Sequence, residues 1–315
     1  MKTLPLAALA ACLLASHALA QGQTPYNPCR GRNKIMEDVC GEDGAVLRDE
    51  HGRRVQREVQ GDRWGNADGS EYDLAVDGAF EGQTVAVLQL APEIDFSRPR
   101  KALGQKGFSV YRWNGAPEPK DLEEGLKKAC QLWILSGTTQ QLNAEHLQVI
   151  KAFYESGRGL YIWGDNAPYY ADANFVGEAL LGTTMTGDVP GAQTVGLQET
   201  KTSPGILPNH LLSTGLQSVY EGITIATIQS NQTLTPLIYG SAGNLVAAFR
   251  DEDGKRVIFD GGFTRLYCGW EEAGTGRYIR NAAAWLVNVE RFGDEVVGKA
   301  KPVAQTPEPL EQTAK

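Results

Sequence analysis

The chain is poor in the residues that bind transition metals. Its 315 residues include five cysteines and four histidines. His51, His146 and His210 stand far apart, and no Cys-x-x-Cys or His-x-His spacing occurs. Zinc and copper sites are usually assembled from such closely spaced ligands. The sequence therefore predicts no metal site.

Long apolar runs and an excess of positive charge are also lacking. Beyond residue 20, no run approaches the roughly 18 consecutive apolar residues that a membrane span requires. The formal net charge is −8, without any basic cluster. Nucleic acids and anionic membrane surfaces repel a protein of this charge. We therefore expect neither a membrane span nor a nucleic-acid partner.

The first 20 residues have the three-part pattern of a secretory signal peptide. Lys2 precedes an apolar run over residues 4–15, and the sequence Ala18-Leu19-Ala20 stands directly before Gln21. This order of charged, apolar and small residues predicts export, and hence a periplasmic or secreted protein. In an alternative interpretation, residues 9–12 form a lipoprotein cleavage box and Cys12 carries the lipid.

Four cysteines follow the predicted signal peptide. Cys29 and Cys40 lie in a short polar segment, and we predict a disulfide between them in an oxidising compartment. Cys130 and Cys268 fall at opposite edges of the sheet described below, about 20 Å apart at about 3.3 Å per residue. A disulfide spans only about 7 Å between Cα atoms. We therefore predict that these two cysteines are buried free thiols.

Composition divides the remaining chain into three parts. Residues 21–83 are rich in Gly, Asp, Arg and Glu, which predicts a polar N-terminal arm with the disulfide and a hairpin over residues 46–55. Residues 84–292 alternate between apolar strands and amphipathic helices. Residues 293–315 are rich in Pro, Lys, Gln, Thr and Glu, and predict a disordered tail.

The alternation over residues 84–292 defines the fold class. Buried strands are expected at 84–90, 109–113, 131–135 and 159–163, with helices between and after them. One helix spans 144–156, with Asn143 as its N-cap. We predict an α/β domain with an open, mostly parallel flavodoxin-like sheet and helices on both faces. Strands near residues 235–260 predict an antiparallel edge toward the C-terminus.

Short runs within this domain resemble a known superfamily. They are Leu135-Ser136-Gly137, the run GRGLYIWGDN over residues 157–166, and the run RVIFDGG over residues 256–262. Together they resemble the class I glutamine amidotransferase-like superfamily over roughly residues 84–292. Within it, the non-catalytic branch of gliding and intraflagellar-transport proteins and the trehalose-utilisation-type domains are most similar. The resemblance implies a fold, not an activity.

The chain departs from the catalytic pattern of that superfamily. Class I amidotransferases carry a Cys on the turn after the strand that matches residues 159–163, and a His-x-Glu pair near the C-terminus. Here the turn carries Asp165, and no His follows His210. Glutaminase activity is therefore not expected. Flavodoxins bind a phosphate after the first strand, where this chain has Glu93 and Asp95, so we also expect no flavin or other cofactor.

Ligands of open α/β sheets bind outside the carboxyl ends of the strands. We therefore predict a ligand-binding rim formed by Asp165, Asn166, Tyr169, Asn174, Asp260, Thr264, Arg265, Trp270 and Arg277. The two arginines have two interpretations. Either they clamp a carboxylate or an anionic sugar, or they form rim ion pairs with Asp260, Glu271 or Glu272.

Asp165 stands where the superfamily has its nucleophile. It is either a nucleophile or base, or a carboxylate that binds the amides of its own turn. We adopt the second interpretation because no His is positioned to relay a proton. The leading hypothesis is a non-catalytic binding module for a small polar molecule, such as a sugar, or for a partner peptide. The alternatives are a hydrolase using Asp165 with water or Cys268, and a structural envelope protein that contacts another protein.

Overall fold

The computed structural model describes residues 35–39 and 46–298. Some of the expectations above concern other residues. The signal peptide, the lipid site at Cys12, the disulfide between Cys29 and Cys40, and most of the tail lie outside the described residues and stay predictions.

The chain divides into two compact units, residues 1–58 and residues 59–315. In the described part of the first unit, an antiparallel bridge joins Arg48 to Arg54, inside the segment for which a hairpin is predicted. Two short strands, β1 (Ile35–Asp38) and β2 (Gln56–Val59), also pair with each other. Val59, the last residue of β2, belongs to the second unit.

Strands and helices alternate through the first half of the second unit, as the sequence predicts. In chain order its strands are β3 (Thr84–Gln89), β4 (Ser109–Asn114), β5 (Gln131–Leu135), β6 (Gly159–Trp163), β7 (Met185–Pro190), β8 (Thr194–Gly196), β9 (Gly205–Ile206), β10 (Ser218–Tyr220), β11 (Thr224–Ile228), β12 (Thr235–Tyr239), β13 (Leu245–Glu252) and β14 (Lys255–Asp260). Its α-helices are α1 (Ser97–Gln105), α2 (Pro119–Leu126), α3 (Ala144–Glu155), α4 (Ala171–Leu181), α5 (Thr275–Leu286) and α6 (Val289–Phe292).

Eight of the described strands form one sheet in the order β4-β3-β5-β6-β14-β13-β12-β9. The first five of these strands run parallel to one another. β13, β12 and β9 add antiparallel pairs beside them. The predicted fold class, an open and mostly parallel sheet with an antiparallel edge near the C-terminus, is confirmed.

The two faces of the sheet are buried under different helices. Alternate side chains of the central strands, such as Trp133 and Tyr161, pack with residues of α1 and α5. Their neighbours in sequence, such as Leu132 and Ile162, pack on the other face with residues of α2, α3 and α4. Because both faces are covered, these strands read as continuous apolar runs in the sequence.

Residues 59–83 belong to the second unit, although their composition suggested part of an arm. The side-chain oxygen of Asn66 accepts hydrogen bonds from the backbone amides of Gln217 and Ser218, at 2.6 and 3.0 Å. Asp73 is buried and pairs with Lys106 of the α1 end at 2.9 Å. Hydrogen bonds and ion pairs of polar side chains attach this segment to the rest of the second unit. Its low apolar content therefore did not indicate that it packs there.

The two described cysteines are free thiols, as predicted. Cys130 is buried, and desolvation raises the pKa of its thiol to about 12. Cys268 is only half-buried, because it lies in the irregular segment between β14 and α5; its predicted full burial is wrong. Among the residues described, no helix has the length and apolar character of a membrane span.

Candidate functional site

The turn after β6 encloses Asp165. Asp165 is fully buried. Its carboxylate accepts hydrogen bonds from the backbone amides of Asn166, at 2.9 Å, and Thr264, at 2.7 Å, and from the hydroxyl of Thr264. The carboxylate thus ties its own turn to the segment that follows β14. Only the bond from Asn166 lies within the turn itself, as the adopted interpretation has it, whereas the bonds from Thr264 come from a segment that the interpretation did not include.

Burial also changes the protonation of this carboxyl group. Desolvation raises the pKa of Asp165 to about 7, against the hydrogen bonds from Thr264 and Asn166, which act to lower it. Near neutral pH the group is therefore only partly ionised. A carboxylate that is enclosed and already accepts several hydrogen bonds is poorly placed to attack a substrate or activate water.

Asp260 and Arg265 form an ion pair in the interior of the unit. Arg265 Nη1 lies 3.0 Å from the Asp260 carboxylate, and both side chains are fully buried. The hydroxyls of Tyr278 and Tyr161 donate to the same carboxylate, at 3.0 and 3.3 Å. Arg265 Nη2 donates to the carbonyl of Glu221 at 2.7 Å. Arg265 is thus an internal partner of Asp260 and not a solvent-facing clamp for a ligand.

The remaining rim residues on the β6 side, Asn166, Tyr169 and Asn174, are all half-buried. Asn174 joins α4 to β7, because its amide donates to the carbonyl of Met185 at 2.9 Å and accepts from the amide of Met185. Tyr169 is half-buried against Phe263, with ring centroids 5.7 Å apart. Asn166 is half-buried as well. Asn166, Tyr169 and Asn174 therefore each present part of their surface here, although both ends of the Asn174 amide are bound to Met185.

The topological switch point of the sheet is filled by protein. The chain leaves β3 toward β4 on one side and then returns to β5 on the other, which is where an open α/β sheet usually binds its ligand. Gly137 lies so close that a Cβ there would meet the carbonyl oxygen of Leu90 at 2.6 Å. The Gln141 side chain donates to the same oxygen at 2.7 Å. At these two contacts the loops after β3 and β5 pack directly against each other.

Trp270 and Arg277 lie at a different place, in an open groove of about 460 Å³ that we call the Trp270 groove. Arg277 is buried beneath it. Its guanidinium donates to the Asp73 carboxylate at 2.8 Å and to the carbonyls of Ala67, Gly69 and Gly215. All three guanidinium nitrogens thus donate hydrogen bonds within the protein. Arg277 therefore forms part of the groove wall and does not bind a ligand at the rim.

Some of the other side chains of the Trp270 groove remain available. The groove is lined by Trp270 together with Asp62, Asp68, Gln105, Glu271 and Arg280. Trp270 is half-buried, and its indole lies over Gly276, where a Cβ would meet the ring at 3.4 Å. Asp68 and Glu271 are exposed, and their carboxylates have no hydrogen-bond or ion-pair partner within the described part of the chain.

The structure therefore places the predicted site residues in two regions, at the carboxyl ends of β6 and β14 and in the Trp270 groove. Asp165 and Thr264 bind each other, Asp260 binds Arg265, and Trp270 and Arg277 meet in a groove lined by segment 62–70, α1 and α5. The sequence analysis missed Asp68, Gln105 and Arg280 of that groove. No sequence pattern marks them, because they come from three separate segments joined only by tertiary packing.

No protein-family model and no curated protein matches the chain. Similar solved structures have low identity. Two proteins of Salmonella typhimurium, named cytoplasmic protein STM1381 and cytoplasmic protein STM3548, are each 12% identical; their TM-scores are 0.45 and 0.44, over 66% and 69% of this chain and 98% and 100% of theirs. PurLQS from Thermotoga maritima is 9% identical, with a TM-score of 0.40, over 65% of this chain and 99% of its own.

These likenesses concern the fold and carry no argument about ligand or activity. The non-catalytic branch of the amidotransferase-like superfamily receives no support from these matches. The predicted periplasmic or secreted location is contradicted by the names of the two Salmonella proteins, both called cytoplasmic. We therefore drop that prediction, and with it the envelope as the setting of a partner.

Proposed function

We propose that this protein is a non-catalytic binding module for a small neutral polyhydroxylated molecule, a sugar, held in the Trp270 groove. The observation that carries the proposal is an accessible indole fixed over Gly276 beside two carboxylates without partners, those of Asp68 and Glu271. The volume of about 460 Å³ lies within the usual range of small-molecule sites, about 300 to 1,000 Å³.

The chemistry of the groove matches that of a sugar. The C–H face of a pyranose packs on an indole, while its hydroxyls donate to carboxylates in charge-assisted hydrogen bonds. Asp68 and Glu271 would repel an anionic ligand, and the nearby guanidinium groups of Arg277 and Arg280 already pair with Asp73. These charges favour a neutral ligand over an anionic sugar.

The absence of catalysis is part of the same proposal. Its support is the state of Asp165, which is enclosed and accepts hydrogen bonds from Asn166 and Thr264. The relation to the non-catalytic branch of the amidotransferase-like superfamily also remains a proposal, supported by the runs of residues 157–166 and 256–262.

Isothermal titration with a panel of glucose, galactose, mannose, xylose and their disaccharides tests this proposal. Because an aromatic contact contributes about 0.5–1.5 kcal/mol beyond area burial, Trp270→Ala is expected to weaken binding by about twofold to tenfold or more. Asp68→Asn and Glu271→Gln are also expected to weaken it. Glu199→Gln, which removes an exposed carboxylate outside the groove lining, serves as the matched control and is expected to bind as the parent does.

Failure of every sugar in the panel to bind would contradict the proposal. So would sugar binding that is equally strong in the parent and in Trp270→Ala. Thermal unfolding of each variant shows whether a loss of binding follows from a loss of fold.

A further inference from the structure

The outer strand β4 has an unpaired backbone edge. In the eight-stranded sheet its only neighbour is β3. The amide of Ser109 donates to the carbonyl of Gln83, and the amide of Gly115 donates to the carbonyl of Gln89. Because backbone groups alternate in direction along a strand, the amides and carbonyls of the alternate residues face away from β3. These residues are Val110, Arg112 and Asn114.

Those outward backbone groups have no hydrogen-bond partner among residues 35–39 and 46–298. They form a short row of donors and acceptors at the open side of β4. We call this row, together with the side chains of Tyr111 and Arg112, the β4 edge. Such an edge is the usual template for adding a further strand.

A cationic groove lies beside the β4 edge, with a volume of about 480 Å³. Its charged and polar lining consists of Asp95, Ser97, Arg100, Lys101 and Arg112. Arg100 and Lys101 project from α1 and are exposed, and their side chains have no ion-pair or hydrogen-bond partner in the described part of the protein. Arg112 donates to the side-chain oxygen of Gln89 at 2.7 Å.

One carboxylate accompanies these three cations. Asp95 accepts hydrogen bonds from the amide and the hydroxyl of Ser97, at 2.9 and 3.0 Å, and these bonds lower the pKa of Asp95. It therefore stays ionised and cancels one of the three positive charges. The groove remains positive on a chain whose net charge is −8, so it attracts a negatively charged partner.

We infer that the β4 edge and the adjacent groove bind an acidic peptide in an extended conformation, as an added strand. This interaction goes beyond the proposed sugar binding and uses a different surface. A small anion would contact Arg100, Lys101 and Arg112, but would leave the outward amides of Val110 and Asn114 unpaired. An acidic strand satisfies both the cations and the backbone row.

The two faces of β4 specify the pattern of the peptide. The side chains of Val110 and Arg112 line the cationic groove, so every second residue of the added strand is acidic. On the opposite face, Tyr111 is 52% exposed and its ring packs edge-on against Trp113, with centroids 4.7 Å apart. The intervening residues of the peptide are therefore apolar or aromatic, because they face this pair.

The probe is a fluorescein-labelled peptide of sequence Glu-Val-Glu-Val-Glu-Val-Glu, followed by fluorescence anisotropy with the full chain. Charge reversal in Arg100→Glu/Lys101→Glu is expected to weaken binding about tenfold or more at low salt. The matched control, Lys128→Glu/Lys151→Glu, makes the same change in net charge at exposed lysines after α2 and on α3. Binding to the control is expected to change by less than about twofold.

A second pair of variants tests the backbone contact. Asn114→Pro removes an outward amide, and proline is tolerated on edge strands when its position faces away from the sheet. Asn114→Ala keeps the amide. We expect the proline variant to bind the peptide several-fold more weakly than the alanine variant. Equal binding by the two variants would overturn strand addition.

Hydrogen exchange in the parent protein gives the same test without a substitution. Saturating peptide is expected to slow exchange at the amides of Val110, Arg112 and Asn114, while the amides of Tyr111 and Trp113, which face β3, change little. Absence of peptide binding would overturn the inference. Displacement of the peptide by inorganic phosphate at equal charge concentration would also overturn it, because it would indicate a site for small anions.

Discussion

At the scale of single residues, the polar side chains at the carboxyl ends of the strands are used inside the protein. Asp165 binds the segment after β14, and Asp260 binds Arg265 and two tyrosines. The residue types and positions at this edge were predictable from the order of strands. The ion pair of Asp260 with Arg265, five residues apart, was one of the two interpretations drawn from the sequence. The bond between Asp165 and Thr264 was not predicted, because a hydrogen bond between residues 99 positions apart leaves no pattern in the sequence.

The raised pKa of Asp165 predicts a specific effect of pH on stability. Its pKa is about 7 in the folded protein and 3.8 in an unfolded reference, so the folded state holds more protons between these values. Stability attributable to this group is therefore fully present below pH 3.8 and is lost as the pH rises to about 7, by at most about 1.4 kcal/mol per pH unit. Asp165→Asn removes this contribution.

Urea unfolding of the parent and of Asp165→Asn between pH 4 and pH 8 measures the effect. The free energy of unfolding is expected to fall less steeply with rising pH in the variant. Parallel curves for the two proteins would show that the pKa of Asp165 is not raised in the folded state.

At the scale of elements, periodicity was enough to place the parallel core. The runs that became β3, β5 and β6 are continuously apolar because both faces of the sheet are covered, and Asn143 caps α3 as predicted. Residues 59–83 were assigned to an arm because they lack such a pattern. Their attachment depends on buried polar contacts, chiefly those of Asp73 and Arg277.

Arg277 is expected to hold that segment through its planar guanidinium. A lysine at this position can still pair with Asp73, but it cannot donate to the carbonyls of Ala67, Gly69 and Gly215 at the same time. We therefore expect Arg277→Lys to lower the free energy of unfolding by about 2 kcal/mol. Faster hydrogen exchange over residues 59–73 is expected as well.

The matched control is Arg291→Lys, at an exposed arginine that contacts the carbonyls of Asp253 and Gly254. Its free energy of unfolding is expected to change by less than about 0.5 kcal/mol. A similar loss of stability in both variants would contradict the special role of Arg277.

At the scale of the whole molecule, the two grooves described above lie away from the usual ligand position. Gly137 and Gln141 fill the switch point between β3 and β5. The Trp270 groove lies instead against α5 and α1, and the cationic groove lies between α1 and β4. The sequence predicted the sheet and therefore the edge at which its strands end. It did not predict that the loops after β3 and β5 would pack together at the switch point.

The most direct test of the account is a map of sugar binding on the isotope-labelled full chain by NMR. With the sugar that binds best in titration, the account predicts chemical-shift changes concentrated at Asp68, Trp270 and Gly276. The amides of Asp165 and Thr264 are expected to stay unchanged. Shift changes centred on Asp165 and Thr264, with none around Trp270, would contradict the account.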